Sequence, residues 1–466
     1  MVQGTSSSAG KSLITTALAR ALHRRGIDVV PFKAINMANN ARVVDGGEIG
    51  TAQYLQGLAA GLEPGVLMNP VLIKPEGDNR SQVVVLGRPD DELSRMAWRD
   101  RREHLWPPIQ ASLEALRAQH ELVLIEGAGS PAEINLRDTD LANMRTARAA
   151  DARVLLVADI NRGGAFAHLY GTWALLGGED RARLAGFVLN RFRGDASLLA
   201  PGTEELEHLT GVPTLGVLPF SEHGLPDEDG AATPAFRDLD APVAIVRYPT
   251  ASNLDEFKPL EQLGALRWAR SVEEIAGARL VVLPGSKHVA SDLAWLHRTG
   301  MARALRDRAA RGDPILGICG GLQMLGERVD DEVEGAAGVS AEGLGLLSLR
   351  TTFVAAKRTE RTVGRFEPLP DPWTELSDRT LAGYEIRRGR TIATAPVPEA
   401  LPNGLGFVAG PVLGIYLHGL FEQPDLVRAL LGASPSASLE QTFERLADLA
   451  EEHLDVGALI DTEVAA

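Results

Sequence analysis

The sequence predicts an α/β protein of two domains, each a mostly parallel sheet with helices on both faces. Short apolar runs recur along the chain, and each is followed by Gly or a polar turn and then by a helical stretch. This alternation is typical of parallel sheets covered on both faces, where ligands bind at the carboxyl ends of the strands. The predicted strands include 122–125, 154–158, 186–189, 243–246, 280–283 and 315–318.

The composition excludes several classes of protein. The 466 residues suffice for two or three domains, and 45% hydrophobic against 23% charged residues is typical of a globular chain. A net charge of −15 argues against a nucleic-acid binder, which needs clustered Lys and Arg. No apolar run reaches the roughly 18 residues of a membrane span. Since the only cysteine is Cys319 and no signal peptide precedes the first motif, we expect a cytoplasmic protein.

A composition change marks the predicted domain boundary. Residues 221–241 are rich in Gly, Pro, Asp and Glu without clear periodicity, which indicates a linker or long surface loop. We therefore predict one domain over 1–240 and a second over 241–435. The tail, 436–466, has the pattern of a polar-faced helix, and we expect it to cap the second domain.

The chain opens with a run typical of a phosphate-binding loop, GTSSSAGKS. In such loops backbone N–H groups converge on phosphate oxygens, a Lys neutralises the terminal phosphates, and a hydroxyl binds Mg²⁺. Gly10, Lys11 and Ser12 fit these roles, and a helix over 13–25 follows. Thr5 occupies the position of the usual first Gly, and Gly4 lies one residue earlier. The structural alternative is a Gly/Ser-rich turn before a helix.

The strand before this loop is predicted to be unusually short. Only three residues precede Gly4, which is few for a central strand. We expect either a minimal strand or a natural start further upstream.

Several polar residues follow predicted strands of the first domain. Glu126 ends an apolar strand and precedes Gly127, a position that suits Mg²⁺ coordination; the alternative is a helix-capping carboxylate. Asp45 and Asp138 are further metal candidates that could equally be surface residues. Lys33 could reach a phosphate or be an ordinary surface lysine.

Longer runs carry a family resemblance. The runs are FKAINMANN (32–40), MNPVLIKP (68–75), EGAGSPAEINL (126–136), DINRGG (159–164) and NRFRGD (190–195). They resemble cobyric acid synthases, whose phosphate loop is of the dethiobiotin-synthetase-like type. Asn161 departs from this pattern, since Asp is usual there. In nucleotide-binding proteins of this class an Asn after a strand often contacts the base, which makes Asn190 a candidate ATP contact.

The second domain carries a cysteine on a predicted sharp turn. The run ILGICGGLQ (315–323) reads as a strand, Cys319, a tight turn and a helix. Glycines at 317, 320 and 321 would let the backbone bend and expose the sulfur, and the helix N-terminus stabilises a negative charge on it. The alternative, a buried structural cysteine, would not require these glycines.

A histidine near the end of the second domain is the predicted base. His418 follows a strand and precedes Gly, and it would activate Cys319 and protonate the ammonia that leaves. The pair resembles class I glutamine amidotransferases, and the resemblance implies an oxyanion hole from Gly285 and the Gly320 N–H. Leu420 occupies the position of the usual triad Glu, so the third member stays open, with Glu422 one candidate. Arg387 replaces His in a run that resembles GYEIH.

Together the two domains predict a glutamine-dependent amide ligase. ATP with Mg²⁺ would phosphorylate a carboxylate, and ammonia from glutamine would displace the phosphate. The resemblance implies that a corrinoid a,c-diamide is the acceptor, in cobalamin biosynthesis, with no nucleic-acid or membrane partner; a homo-oligomer stays open.

Three alternatives remain from the sequence. Cobyrinate a,c-diamide synthases share the two-domain plan, although the runs 34–40 and 134–144 favour cobyric acid synthases. A regulatory ATPase of the partitioning type would not need Cys319 and His418. The short first strand and Arg387 raise the third alternative, a pseudo-enzyme.

Overall fold

The computed structural model describes residues 1–77, 80–221, 223–226, 242–331, 333, 339–433 and 438–460, and most of the predicted linker, 221–241, lies outside them. Two α/β units are seen, as predicted, and they contact each other directly. Among the described helices, none combines the length and apolarity needed to cross a bilayer.

The first unit has a parallel sheet at its centre. Its strands are β1 (Val2–Gly4), β2 (Val29–Phe32), β3 (Ile35–Met37), β4 (Ala41–Val44), β5 (Gly47–Gly50), β6 (Val71–Gly77), β7 (Arg80–Val85), β8 (Arg88–Asp90), β9 (Leu122–Ile125), β10 (Val154–Asp159), β11 (Leu184–Phe192) and β12 (Thr214–Pro219). Its helices are α1 (Lys11–Arg24), α2 (Thr51–Ala59), α3 (Asp91–Arg95), α4 (Trp98–Gln119), α5 (Met144–Ala150), α6 (Ala165–Leu175), α7 (Gly178–Arg181) and α8 (Ala200–Thr210).

The short first strand occupies a central place in this sheet. β1, β10, β11 and β12 pair in that order and in parallel, and β2 pairs with β9. A parallel bridge between Val2 and Glu126 joins the two groups. All three residues of β1 are buried. A smaller sheet, β3–β6–β7–β8, and the hairpin β4–β5 extend toward the second unit.

The second unit has a larger sheet in the order β15–β13–β16–β18–β25–β24–β23, parallel except for its last two strands. Its strands are β13 (Val243–Val246), β14 (Ala251–Ser252), β15 (Leu266–Ala269), β16 (Leu280–Leu283), β17 (Gly285–Ser286), β18 (Ile315–Ile318), β19 (Arg328–Asp331), β20 (Val339–Glu342), β21 (Leu349–Arg365), β22 (Thr380–Ala393), β23 (Glu399–Leu401), β24 (Gly406–Ala409) and β25 (Val412–Ile415). Its helices are α9 (Lys258–Gln262), α10 (Val272–Ile275), α11 (Val289–Arg298), α12 (Met301–Ala310), α13 (Gly320–Leu325) and α14 (Pro424–Leu431).

The large sheet buries both of its faces. Successive residues of β13 belong to two different cores: Ala244 and Val246 pack toward α11 and α12, whereas Val243 and Ile245 pack toward α9 and α14. Residues on alternate positions of a strand point to opposite faces, so strands that are apolar at every position must lie between two layers.

The C-terminal segment returns to the first unit, and the prediction that it caps the second domain is wrong. It forms α15 (Leu439–His453) and α16 (Val456–Ile460). Phe443 and Leu446 join the apolar cluster that contains Leu18 of α1. Arg20 of α1 pairs with Glu444 along the edge of the contact. An amphipathic pattern shows that a helix has a partner but not which partner, and here the partner is the helix that follows the phosphate loop.

Candidate active sites

The phosphate loop connects β1 to α1. The Lys11 ammonium lies over it and donates to the carbonyls of Ser6 at 3.0 Å, Ser7 at 3.1 Å and Gly129 at 3.2 Å. The last contact joins the loop to the segment that follows β9. Gly10 has φ +98°, and a Cβ there would lie 2.0 Å from the Asn190 amide nitrogen. Glycine is therefore required both by the backbone and by the close approach of β11.

Asn190 and Thr5 are both engaged with the backbone around this loop. Asn190 Nδ2 donates to the Ala9 carbonyl at 2.9 Å, and its Oδ1 accepts from the Arg191 N–H at 2.9 Å. The Thr5 N–H donates to Val157 of β10 at 2.9 Å. In this structure Asn190 supports the shape of the loop, and its contact with a base stays a prediction.

Glu126 is the centre of a buried polar cluster beside the loop. The carboxylate has no exposed surface. Its Oε1 accepts from the Ser12 hydroxyl at 2.9 Å and from the Lys33 ammonium at 2.8 Å, and its Oε2 accepts from Gln56. Residues far apart in sequence thus meet, and three of them, Ser12, Lys33 and Glu126, are candidates from the sequence. Gln56 on α2 was missed, because an amide within a helix gives no sequence signal.

The Ser12–Glu126 pair fits a magnesium ion. Mg²⁺ prefers oxygen ligands and is commonly held by one or two protein groups together with substrate phosphates. A hydroxyl and a carboxylate that lie 2.9 Å apart beside the phosphate loop supply such a set. In the described chain no three His, Cys, Asp or Glu side chains form a metal cluster, so a complete protein cage is not seen there.

The two secondary metal candidates lie elsewhere. Asp45 is exposed in the turn between β4 and β5, and no contact connects it with Ser12 or Glu126. Asp138 is exposed in a single helical turn over Arg137–Thr139, and its backbone carbonyl accepts from Arg102. The structure brings neither carboxylate into the Glu126 cluster.

Cys319 is on a strained turn between β18 and α13. Its φ is +52° and its ψ is −104°, an uncommon conformation for a residue with a side chain. A Cβ on Gly320 would lie 2.7 Å from the Ser286 nitrogen, and one on Gly321 would lie 2.0 Å from the Leu283 oxygen. The flanking glycines are therefore required by the close approach of β16 and β17.

His418 and Glu256 complete a chain of contacts from this cysteine. His418 Nδ1 lies 2.9 Å from Glu256 Oε1, and the Gly419 N–H donates to Glu256 Oε2 at 3.0 Å. Since a carboxylate only accepts, Nδ1 carries the proton in this contact. Cys319 is a second neighbour whose interaction raises the pKa of the ring. Both His418 and Glu256 are buried. The structure thus brings together a Cys, a His and a Glu, the residue types of a Cys–His–Glu triad.

The electrostatics of this site favour a protonated imidazole. Burial disfavours the charged ring, but the charge of Glu256 and the hydrogen bond and charge of Cys319 outweigh it and raise the pKa of His418 to about 10. The positive charge therefore stands beside the sulfur at neutral pH.

Glu256 is the functional residue that the sequence did not indicate. It precedes His418 by 162 residues and lies in the single helical turn Leu254–Phe257, where apolar neighbours hide its role. Glu422, the candidate from the sequence, instead pairs with Arg42 of the first unit. The third position is therefore occupied by Glu256 and not by Glu422.

The two predicted oxyanion-hole residues, Gly285 and Gly320, lie close to His418 and Cys319. A Cβ on Gly285 would lie 3.1 Å from His418 Cε1, while Gly320 is in contact with Ser286. Gly320 also begins α13, and the first N–H groups of a helix have no acceptor within it. The assignment of the individual donors stays a prediction.

Arg387 occupies a defined place near the cysteine. Its neighbour Ile386 accepts a contact from Cys319 Sγ at 3.7 Å. The guanidinium pairs with Glu385 at 2.7 Å and lies 3.8 Å from the centre of the Tyr416 ring. It lines a cavity of about 540 Å³, together with three further arginines and Lys357.

A larger cavity, of about 930 Å³, opens beside the phosphate loop. Lys11 and Lys33 line its inner end, and the apolar side chains of Met37, Trp98 and Leu136 lie on its wall, 53%, 39% and 46% exposed. Its lining also includes four arginines, Arg102, Arg137, Arg145 and Arg148, and four carboxylates, Glu133, Asp138, Asp140 and Asp180. With Lys11 and Lys33, the cationic side chains outnumber the carboxylates by six to four. A cavity of this kind fits a bulky, partly apolar molecule with carboxylates.

Each half of the chain matches a known domain family. Residues 1–227 match the CobQ/CobB/MinD/ParA nucleotide binding domain, and residues 242–426 match the CobB/CobQ-like glutamine amidotransferase domain. A cobyric acid synthase of Variovorax paradoxus is 53% identical, and 98% of each chain is covered. One of Methylibium petroleiphilum is 53% identical, with 99% of this chain and 96% of the relative covered.

A solved glutamine amidotransferase is a more distant match. It covers 41% of this chain and 97% of its own, at 17% identity and a TM-score of 0.32. The full-length relatives therefore carry the family assignment.

Proposed function

The chain belongs to the cobyric acid synthase family, and from that premise we propose that it converts carboxylates of a corrinoid a,c-diamide into amides, with ATP and glutamine. The observation that carries the proposal is the presence of two complete centres in one chain: a phosphate loop with Glu126, and a Cys–His–Glu triad. The first would consume the ammonia that the second releases. We propose the cytoplasm as its location and 1–240 and 241–435 as its functional domains, with the tail 436–466 assigned to the first.

In the first centre, carboxylate activation is assigned to Lys11, Ser12, Glu126 and Lys33. The acceptor carboxylate attacks the terminal phosphorus of ATP, ADP leaves, and an acyl phosphate forms. Lys11 and Lys33 would offset the charge on the transferred phosphoryl group. Mg²⁺, when bound through Ser12 and Glu126, supplies further positive charge there. Ammonia then attacks the acyl carbon and releases phosphate, which leaves the amide.

The corrinoid is assigned to the 930 Å³ cavity beside this centre. A corrinoid acid combines a large apolar ring with peripheral carboxylates. The exposed side chains of Met37, Trp98 and Leu136 would pack against the ring, whereas the arginines of the wall would pair with carboxylates. This local positive charge explains how a chain of net charge −15 could receive an anionic substrate.

In the second centre, Cys319 is assigned as the nucleophile. Its sulfur attacks the amide carbon of glutamine, and the protonated His418 donates its proton to the ammonia that leaves. Water, activated by His418, then hydrolyses the thioester to glutamate. Glu256 holds the imidazole in the required tautomer, as the third member of a triad does.

Mass spectrometry of a corrinoid a,c-diamide after incubation with ATP, Mg²⁺ and glutamine tests the proposal. We expect successive mass losses of about one unit, because each conversion replaces OH by NH₂. Cobyrinic acid without amides is the control acceptor, since amidation of its a and c positions would identify a cobyrinate a,c-diamide synthase. ATP hydrolysis without amidation of either acceptor would contradict the proposal.

A further inference from the structure

The hairpin β4–β5 of the first unit inserts a single arginine beside the triad of the second. Arg42 lies on β4 and is only 6% exposed. Its guanidinium pairs with Asp255 and with Glu422, two carboxylates of the other unit. A buried cation that faces two carboxylates across a domain contact is costly to assemble, and removal of one partner leaves uncompensated charge.

The contacts of Arg42 with Asp255 and with Tyr384 lead to the triad. Asp255 precedes Glu256 in the same helical turn, so the guanidinium fixes the segment that carries the triad carboxylate. On the other side, Arg42 Nη1 donates to the Tyr384 hydroxyl at 3.1 Å. The Tyr384 ring stacks on His418, with centroids 5.2 Å apart and an angle of 21° between the planes.

Further hydrogen bonds hold these two neighbours in place. The His418 N–H donates to the Tyr384 carbonyl at 3.0 Å, and the Asn253 amide donates to the Tyr384 hydroxyl at 3.1 Å. The Thr51 hydroxyl, at the start of α2 in the first unit, donates to Asp255 at 3.1 Å. Displacement of Asp255 or Tyr384 would therefore move Glu256 or His418 with it.

We infer that Arg42, from the synthetase half, is a positioning residue for the glutaminase triad: it fixes Glu256 through Asp255 and His418 through Tyr384. The inference rests on the glutaminase role proposed for Cys319 and His418. It means that the Cys–His–Glu centre, although all three residues belong to the second unit, is held in position by the first.

Kinetics of the full-length Arg42→Ala and Arg42→Lys variants test this. Glutamate release at saturating glutamine reports kcat, its dependence on glutamine reports KM, and amidation from ammonium chloride reports the first centre alone. We expect Arg42→Ala to lower the glutaminase kcat by about ten- to a hundredfold, as misplacement of a catalytic group does, with little change in KM. Ammonium-dependent amidation should stay within about twofold of wild type. Arg42→Lys, which keeps one charge, should recover part of kcat.

Arg361→Ala is the matched control. Arg361 also crosses the domain contact, where it donates to the Val43 carbonyl at 3.0 Å, but its guanidinium pairs with Glu63 and not with Asp255 or Glu422. We expect its glutaminase kcat to stay within about twofold of wild type. If Arg42→Ala fails to fold, Asp255→Asn, which keeps the shape and removes the charge, should give the same kinetic split.

Three results would overturn the inference: an unchanged glutaminase kcat in Arg42→Ala, an equal loss in Arg361→Ala, or an equal loss of ammonium-dependent amidation in a folded Arg42 variant. A wild-type enzyme that releases no glutamate from glutamine would instead contradict the proposed function itself. The two failures are therefore distinguishable.

Discussion

The two centres differ in where their buried charges find partners. Glu126 is surrounded by Ser12, Lys33 and Gln56, all from its own half of the molecule. The Glu256–His418 pair is supported by Asp255 and Tyr384, and both contact Arg42 from the other half. The comparison teaches that the ammonia-consuming centre is chemically self-contained, whereas the ammonia-releasing centre depends on the domain contact. If Arg42 positions the triad as inferred, ammonia release would require that the two halves are docked.

The largest expected effect is the loss of amidation when the phosphate-loop centre is disrupted. Lys11→Ala should abolish amidation with glutamine and with ammonium chloride alike, because its ammonium offsets charge on the transferred phosphoryl group. Mass spectrometry of the corrinoid measures amidation with each of the two nitrogen sources. Release of glutamate from glutamine should persist in this variant. Lys258→Ala, which removes a surface lysine paired with Glu261, is the control and should remain active. Near-normal amidation by Lys11→Ala would remove the ATP site from this loop.

The next effect separates the two centres. Cys319→Ser should lose glutamine-dependent amidation and keep amidation from ammonium chloride, since the thiol is needed only to release ammonia. Assays of one folded preparation with each nitrogen source measure the split. Equal loss with both sources would mean that the centres are not independent, and full activity with glutamine would exclude Cys319 from the mechanism.

A smaller effect concerns the triad carboxylate. Glu256→Gln removes the main charge that raises the pKa of His418 to about 10, so that pKa should fall. Less imidazolium at neutral pH should lower the glutaminase kcat by about a hundredfold or more, as in other triads. A pH profile of glutamate release measures the change, and Glu63→Gln, which removes the charge of an exposed partner of Arg361, is the comparison. An unchanged profile would remove Glu256 from the triad.

The same ionisation predicts a pH-dependent stability. The pKa of His418 is raised from 6.5 to about 10, so its contribution to folding is fully present below pH 6.5 and is lost as the pH rises through about 10. The melting temperature of wild type should therefore fall across this pH range by more than that of Glu256→Gln. Parallel curves for the two proteins would contradict the assignment.

The smallest effect tests the physical support of the first centre. Phe443 on α15 is 1% exposed against α1, and Phe443→Ala should cost about 3–5 kcal/mol of stability. Glu440→Ala, which removes an exposed partner of Arg20, should cost about 0–1 kcal/mol. Urea unfolding measures both variants. Equal costs would mean that the apolar contact between α1 and α15 contributes little.

Local patterns predicted much of this molecule. The strands over 122–125, 243–246, 280–283 and 315–318 have the predicted bounds, because each is an uninterrupted apolar run that ends at a turn. The meeting of Ser12, Lys33 and Glu126 followed from the rule that strand ends share one edge of a sheet.

The features that were missed depend on contacts between distant segments. Glu256 and Arg42 are ordinary charged residues in sequence, and only tertiary packing gives them their neighbours. The target of α15 was predicted incorrectly for the same reason, since its apolar stripe would fit either half. The long antiparallel pair of β21 and β22 was also not predicted, because its exposed strands lack continuous apolar runs.

The contact between α1 and α15 has a consequence for biosynthesis. A ribosome makes α1 before the second unit and α15 after it, so one apolar face of α1 stays uncovered while the second unit is synthesised. Exposed apolar surface of this kind invites chaperone binding and aggregation. We expect nascent chains stalled after residue 435 to be protease-sensitive around α1, and chains extended past α15 to be protected. The half that is translated first would thus be the last to reach its native packing.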